Sequence, residues 1–291
     1  MRKISLGVVC LVLVASFASI AAGQEVNKKF AAWNKEIAHL GIAVHRAETY
    51  VFPNDKVYAG RTIYANDRTK TLSTRWVPND PRRDAMGDKI TFLIFQPLSV
   101  SDEGVDLNVP VVNSFNTWES TKCAKVDVVQ NPDTSANPSV IFGGDPFLAD
   151  ITVLGFLPGA YFDLLEPGGS SFILGVTFTY IFIDGAGNPT DINNDGFADT
   201  ALKEIWFNDA FTWKTDPSAS GIDIETVALH ENGHAFELGH FGAIFVTEKN
   251  NKLHFAPRAV MNSAYAGVLR RLLGTDKGAF CMVWANWPRA W

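Results

Sequence analysis

Residues 226–240 read TVALHENGHAFELGH and contain the pattern H-E-x-x-H, on which the interpretation of the whole chain depends. On an α-helix, residues four apart lie on one face, so His230 and His234 can hold one cation through their imidazole nitrogens. Zinc accepts this arrangement. Glu231 lies beside the first histidine, where its carboxylate can take a proton from a water in the open position of the metal. The segment therefore predicts a helix over 224–238 that carries a hydrolytic zinc site.

A third histidine, His240, strengthens this interpretation. It lies ten residues after His230 and reaches the metal if the helix ends between 237 and 239 and the chain turns back. Three protein ligands and one water are typical of catalytic zinc sites, whereas structural zinc sites use four protein ligands. In the alternative, the helix continues, and Glu237 lies on the face of His230 and His234 as a ligand itself.

The pattern resembles the zinc motif of the metzincin peptidases, H-E-x-x-H-x-x-G-x-x-H. The residues H-E-x-G-H-A resemble most closely the bacterial matrixin-type members of that clan. One position differs, because Glu237 replaces the glycine at which the family's backbone reverses, and a glycine follows at Gly239. A residue other than glycine in the left-handed conformation costs roughly 1–2 kcal/mol. Either Glu237 adopts that conformation, or the turn moves to Gly239, or the helix continues; the kept spacing favours His240 as the third ligand.

A second segment also resembles this family. Residues 259–265 read AVMNSAY and are similar to the methionine turn that lies beneath the metal in metzincins. The resemblance makes Met261 a packing residue under the site and Tyr265 a residue that shapes a substrate pocket. Residues 270–284 resemble the family's final helix. Trp206 stands where vertebrate matrixins carry a histidine for a structural zinc, so we expect no second zinc ion.

The resemblance covers residues 88–291 and implies an α+β fold. Its expected core is a metzincin-like mixed, mostly parallel twisted sheet with an active-site helix and a C-terminal helix. The hydrophobic pattern agrees, because strand-like stretches such as 90–95 and 172–183 precede the two late helices. Residues 24–87 lie outside the resemblance and are either a pro-segment or an N-terminal extension. The turn-rich stretch 77–84 is the expected boundary.

The N-terminus has the pattern of a secretory signal peptide. Two positive charges precede an apolar run over 4–22 that ends in small residues. Removal of residues 1–23 leaves an exported chain, secreted or periplasmic, without a membrane span; the alternative is a membrane anchor. Export permits oxidation, so Cys123 and Cys281 either form one disulfide or remain two buried thiols.

The loop 191–199 reads DINNDGFAD and is rich in oxygen ligands. Carboxylates and an amide at alternate positions, with glycine at the sixth, suit Ca²⁺. The expected calcium ligands are Asp191, Asn193, Asp195 and Asp199. An EF-hand would need a glutamate at its twelfth position, where this chain has leucine, so the loop is not a complete EF-hand. The alternative is a solvated turn.

The composition narrows the class of partner. The 291 residues carry a net charge of −6, which argues against a nucleic-acid partner, because such proteins present a basic surface. Together the observations predict an exported, monomeric zinc endopeptidase that binds a peptide or protein substrate as an extra strand along a sheet edge. Two alternatives stay open. One is a non-catalytic exported binding protein on a metzincin scaffold, favoured by Glu237 in place of glycine; the other is hydrolysis of a non-peptide bond.

Overall fold

The computed structural model describes residues 26–53, 71–83, 87–134, 136–247 and 252–289. The predicted signal peptide and the strand-like stretches at 57–58 and 62–64 lie outside these residues. No helix in the described parts of the chain is long and apolar enough to cross a membrane.

A seven-stranded sheet organises the fold. Its strands are β1 (Ile42–Val51), β2 (Thr74–Arg75), β3 (Ile90–Ile94), β4 (Val128–Gln130), β5 (Ile151–Leu157), β6 (Ile173–Phe182) and β7 (Ala198–Asn208). Six of them follow the order β1-β6-β7-β5-β3-β4, and β2 pairs with the start of β7. The pairs β3–β4, β3–β5, β5–β7 and β2–β7 are parallel, whereas β1–β6 and β6–β7 are antiparallel. This confirms the predicted α+β class with a mixed, mostly parallel sheet.

Five α-helices accompany the sheet in the described residues. They are α1 (Val26–Ile37), α2 (Asn108–Glu119), α3 (Gly159–Leu165), α4 (Ile224–Ala235) and α5 (Gly274–Trp284). Two small sheets complete the fold, one of β8 (Trp213–Lys214) with β9 (Ile222–Asp223), the other of β10 (Ala243–Thr247) with β11 (Lys252–Ala256). The helix that carries the H-E-x-x-H pattern is α4. It ends at Ala235, earlier than the predicted helix over 224–238.

Two apolar clusters make up the core, and alternating strand residues divide between them. On β7, Ile205 and Phe207 belong to one cluster and Trp206 to the other, because successive side chains of a strand point to opposite faces. The first cluster includes residues of the helices α2, α4 and α5. The second includes Phe30 of α1 and Phe162 of α3. Helix α4 is therefore buried against one face of the sheet.

The described parts of the 24–87 segment belong to this same body. β1 lies beside β6, and the second half of β1 is wholly buried. Trp76 is buried in the cluster that contains α4. Arg83 forms a buried ion pair with Asp150, with 2.8 Å between Nε and Oδ1. The turn-rich stretch 77–84, expected to mark a boundary, is thus anchored to the sheet.

Cys123 and Cys281 are joined in a disulfide whose Cα atoms are 5.7 Å apart. Of the two predicted alternatives, one disulfide or two buried thiols, the structure has the disulfide. The bond links the chain just after α2 to the middle of α5, so it ties together two of the helices that enclose α4.

Candidate metal centre

Helix α4 begins at a well-defined cap. The Asp223 carboxylate accepts the backbone N–H of Thr226 at 2.9 Å, the arrangement by which an aspartate satisfies an otherwise unpaired amide at a helix start. Arg270 pairs with the same carboxylate. Tyr265 contributes its hydroxyl oxygen, which accepts the backbone N–H of Asp223 at 3.2 Å. The helix cap and one segment distant in sequence, 265–270, therefore set where α4 starts.

At the other end of α4, two indole N–H groups donate hydrogen bonds to backbone carbonyls. The Nε1 of Trp76 donates to the carbonyl of Ala235, and the Nε1 of Trp284 donates to the carbonyl of Phe236, each at 2.9 Å. These carbonyls lie in the last turn, where a helix has no internal donors to offer. The helix is consequently held at both ends and is buried along its length.

The three histidines predicted as metal ligands converge. The Nε2 atom of His230 lies 3.0 Å from that of His234 and 3.1 Å from that of His240, and the remaining pair is 3.1 Å apart. Among the described residues this is the one group of three or more His, Cys, Asp or Glu side chains that is close enough to hold a metal ion. The structure therefore brings together the residues that the sequence pattern singled out.

The hydrogen bonds of the second ring nitrogen, Nδ1, determine the tautomers of His230 and His234. Nδ1 of His230 lies 2.7 Å from the carbonyl oxygen of Val260, and Nδ1 of His234 lies 2.7 Å from that of Leu238. A carbonyl oxygen only accepts, so both Nδ1 atoms carry a proton. Burial lowers the pKa of all three histidines, which keeps the rings neutral near pH 7. The Nε2 lone pairs of His230 and His234 therefore face each other, an arrangement that a bound cation stabilises.

The spacing of the Nε2 atoms suits a small tetrahedral ion. Zinc bound at about 2.0–2.1 Å from each nitrogen needs the nitrogens roughly 3.3–3.4 Å apart. The observed separations of 3.0–3.1 Å are within a few tenths of an ångström of that value. The three histidines can thus hold a metal ion, with a donor set of three imidazoles.

The turn after α4 occurs at Glu237. Its φ is 66°, in the left-handed region, while Gly239 does not adopt a positive φ. The N–H of Glu237 donates to the carbonyl of His234, and the N–H of Leu238 donates to that of Gly233, both at 3.0 Å. This pair of bonds is a Schellman motif, which normally uses glycine at its left-handed position. The chain therefore reverses where the metzincin glycine would stand, and His240 reaches the other two histidines.

The Glu237 side chain does not join the metal group. Its carboxylate is fully buried and lies 3.0 Å from Nζ of Lys203 on β7. The hydroxyls of Thr74 and Thr200 donate to its two oxygens at 2.5 Å each. The alternative in which Glu237 is a ligand is therefore wrong, because the left-handed turn directs this carboxylate to the strands β2 and β7.

Glu231 has the surroundings of a proton acceptor. Its Oε2 accepts the hydroxyl of Thr177 on β6 at 2.6 Å, and its buried Oε1 has no hydrogen-bond partner among the described residues. Burial raises the pKa of Glu231 well above its usual value, and the negative charge of Glu48 raises it further, against the Thr177 hydrogen bond. Gly175 makes room for the carboxylate, since a Cβ there would lie 2.8 Å from Oε1.

The predicted methionine turn lies under the site. Met261 is fully buried, and its Sδ would be 2.3 Å from a Cβ placed on Gly233, so the glycine inside H-E-N-G-H permits this contact. Asp276 of α5 holds the turn by accepting the N–H groups of Val260 and Met261 at 3.0 and 3.2 Å. The same turn offers the Val260 carbonyl to His230. Asp276 thus holds the turn that supports His230, and no sequence pattern marked it.

Tyr265, the other residue expected from the resemblance, lies between α4 and β1. Its hydroxyl binds the start of α4, and its backbone N–H donates to the carbonyl of Val51 at 2.8 Å. Its ring faces Tyr50 with centroids 6.1 Å apart. Its role in a substrate pocket stays a prediction.

The acidic loop closes on itself through hydrogen bonds. The Asp191 carboxylate accepts the N–H groups of Asp195 and Gly196, and Asn193 donates to Asp195. Asp199 is paired with Arg82 at 2.8 Å. These carboxylates do not form a metal-binding group of three within the described chain. The loop is thus a hydrogen-bonded turn, and the calcium site expected at Asp191, Asn193, Asp195 and Asp199 stays a prediction.

Strand β1 closes the metal centre on one side, which the sequence did not predict. The ring of Tyr50 stacks on that of His230, with centroids 3.8 Å apart and an angle of 11°. His230, His234 and Glu231 are fully buried, whereas the His240 side chain is 14% exposed. β1 also takes up the edge of β6. A peptide strand therefore cannot pair with β6 while β1 is in place; the expectation that a peptide substrate binds along an edge of the sheet stays a prediction.

Comparison of the chain with models of known protein families and with curated protein sequences found no match. The family resemblance therefore depends on the motifs themselves and on the geometry described above.

Proposed function

We propose that the chain is an exported zinc-dependent endopeptidase with a metzincin-type catalytic domain. The observation that carries the proposal is the convergence of His230, His234 and His240 through Nε2 beside the buried carboxylate of Glu231. Three imidazole ligands leave one position for water, which is the catalytic form of a zinc site. The methionine turn beneath α4 and the left-handed turn at Glu237 support the metzincin assignment.

In this proposal the chain's own residues bind the metal and move the proton. When bound, the metal ion supplies a Lewis acid that lowers the pKa of its water to about 7. Glu231 accepts the proton of the attacking water on its carboxylate and then passes it to the leaving amine. Thr177 orients that carboxylate through its hydroxyl. The substrate is a peptide or protein, and the working form is a secreted or periplasmic monomer.

One observation favours a second function, a non-catalytic exported binding protein on the same scaffold. The position beside β6 is filled by β1, and the catalytic carboxylate is fully buried. The earlier argument for this alternative, the loss of the turn glycine, carries no weight, because Glu237 takes the conformation of that glycine.

Cleavage of a denatured protein by the purified chain separates the two functions. We expect a stoichiometric zinc ion and activity in the wild type, both lost in His230→Ala. Glu231→Gln should keep the zinc and lose the activity. Glu204→Gln is the matched control, because Glu204 is equally buried but is bonded to Ser139 and Val140, away from the histidines. Zinc with no activity in wild type and Glu231→Gln alike would support the binding protein; absence of zinc would refute the peptidase.

A further inference from the structure

The second nitrogen of each histidine shows how the metal centre is oriented. Metal-binding histidines usually donate from the nitrogen that does not face the ion to a carbonyl or a carboxylate, which holds the ring in position. His230 and His234 use the backbone carbonyls of Val260 and Leu238. His240 differs, because the group beside its Nδ1 is the carboxylate of Glu48 on β1, 3.5 Å away at Oε2.

We propose that Glu48 is a positioning residue for the third metal ligand, His240, and that β1 is a working part of the metal centre and not a removable pro-segment. The inference rests on the metal-binding part of the proposed function. It assigns a role to residues 42–51, which lie outside the stretch that resembles the peptidase family.

Glu48 is built into the interior as a charged group. Its side chain is 1% exposed, and Arg46, 2% exposed, pairs with its Oε1. The two residues are two apart on the strand and so point to the same face. A buried carboxylate is costly without a compensating partner, and Arg46 provides one. The pair therefore holds Oε2 on the side of His240 in a defined place.

His240 is the ligand that most needs such support. His230 and His234 sit on a buried helix, whereas His240 follows the Glu237 turn and lies outside regular structure, partly exposed. No helix fixes its backbone, so the orientation of its ring depends more on the group at Nδ1. Glu48 places a carboxylate 3.5 Å from that atom, close enough to attract its N–H group.

The packing of α1 and β1 argues that this support is permanent. Phe30 and Trp33 of α1 meet the ring of Phe178 on β6 edge-on, with centroids 6.2 and 5.5 Å apart. Removing α1 and β1 would expose these aromatic contacts and leave β6 as an unpaired edge. Tyr50 would also leave the face of His230. A segment that supplies core, sheet edge and ligand contacts is part of the working fold.

Metal affinity tests the role of Glu48 directly. Zn²⁺ and Co²⁺ affinities of the full mature chain are measured by competition with a chelator, and the visible spectrum of bound Co²⁺ reports the ligand geometry. We expect Glu48→Gln to weaken binding by roughly 10–100-fold and to alter the Co²⁺ spectrum. Glu204→Gln, the same substitution at a buried glutamate away from the histidines, should change neither.

A second experiment, in a variant that lacks the His240 imidazole, distinguishes positioning of His240 from a general loss of structure. In His240→Ala chains, Glu48→Gln should cause no further loss of metal affinity, because the ligand through which it acts is absent. Urea unfolding of the metal-free proteins checks that each variant folds; if Glu48→Gln does not, the shorter Glu48→Asp replaces it, with a smaller expected loss.

Three outcomes would overturn the inference: unchanged affinity in the Glu48 variants, the same loss with and without His240, or peptidase activity that rises when residues up to 53 are removed while zinc is retained. A wild type that binds no zinc would instead refute the proposed function.

Discussion

The substitution Glu237→Gly, in the turn after α4, should have two opposite effects on the free energy of unfolding. It restores the glycine of the metzincin motif and removes a left-handed residue with side chain, which should gain roughly 1–2 kcal/mol. It also removes the carboxylate that forms a fully buried ion pair with Lys203, 3.0 Å from its Nζ. Breaking a buried ion pair on one side costs roughly 3–5 kcal/mol, because an uncompensated charge remains. The loss should win, leaving the variant less stable by about 1–4 kcal/mol.

Equilibrium unfolding by urea of the metal-free chain, with its disulfide intact, measures this difference. Lys203→Met added to Glu237→Gly should recover most of the loss, because neither charge of this buried pair then remains. Asn194→Gly is the matched control. Asn194 has a φ of 57° in an exposed turn, so left-handed strain is removed there without a buried pair, and less of it, because asparagine tolerates this conformation better than glutamate. Its effect should be small.

The loss should also depend on pH. Burial lowers the pKa of Lys203 to about 8, although Glu237 opposes that shift. Without Glu237 the pKa falls further, so below pH 8 the folded variant binds fewer protons than the folded wild type. Its stability then rises faster with pH. The deficit should shrink as the pH approaches about 8 and stay constant above it. A Glu237→Gly variant as stable as the wild type would refute the reasoning, and so would a loss of stability that does not change with pH.

Three further predictions concern the support of the site. Gly175→Ala should keep the zinc but abolish cleavage of a denatured protein, because its Cβ would lie 2.8 Å from Oε1 of Glu231; wild-type turnover would contradict this. Asp276→Asn should lower the free energy of unfolding by about 1–3 kcal/mol and weaken zinc binding, because the methionine turn loses a charged acceptor; unchanged chelator competition would count against it. Replacing Cys123 and Cys281 by serine should cost about 2–5 kcal/mol in urea unfolding, and equal midpoints would argue against a stabilising bond.

Much of the sheet could be predicted because its strands are continuous apolar runs. The stretches 90–95 and 172–183 correspond to β3 and β6 within a residue or so at each end. β1 was missed, since Arg46 and Glu48 interrupt its apolar pattern. These charges are buried together in the structure. The continuous apolar pattern that predicts an internal strand is therefore absent from this part of the sequence. No periodicity of a single segment reveals that two of its charges neutralise each other inside a core.

The amino-acid sequence by itself determined the local part of the metal centre. Helical spacing places His230 and His234 on one face with Glu231 beside them, whatever surrounds the helix. Only the tertiary structure decided which neighbour each of these residues meets. The turn at Glu237 depends on Lys203, and the support of His240 depends on Glu48, both far away along the chain. Helix periodicity is a property of residues close together along the chain. The pairing of buried charges depends instead on which strands and turns become neighbours in the folded protein.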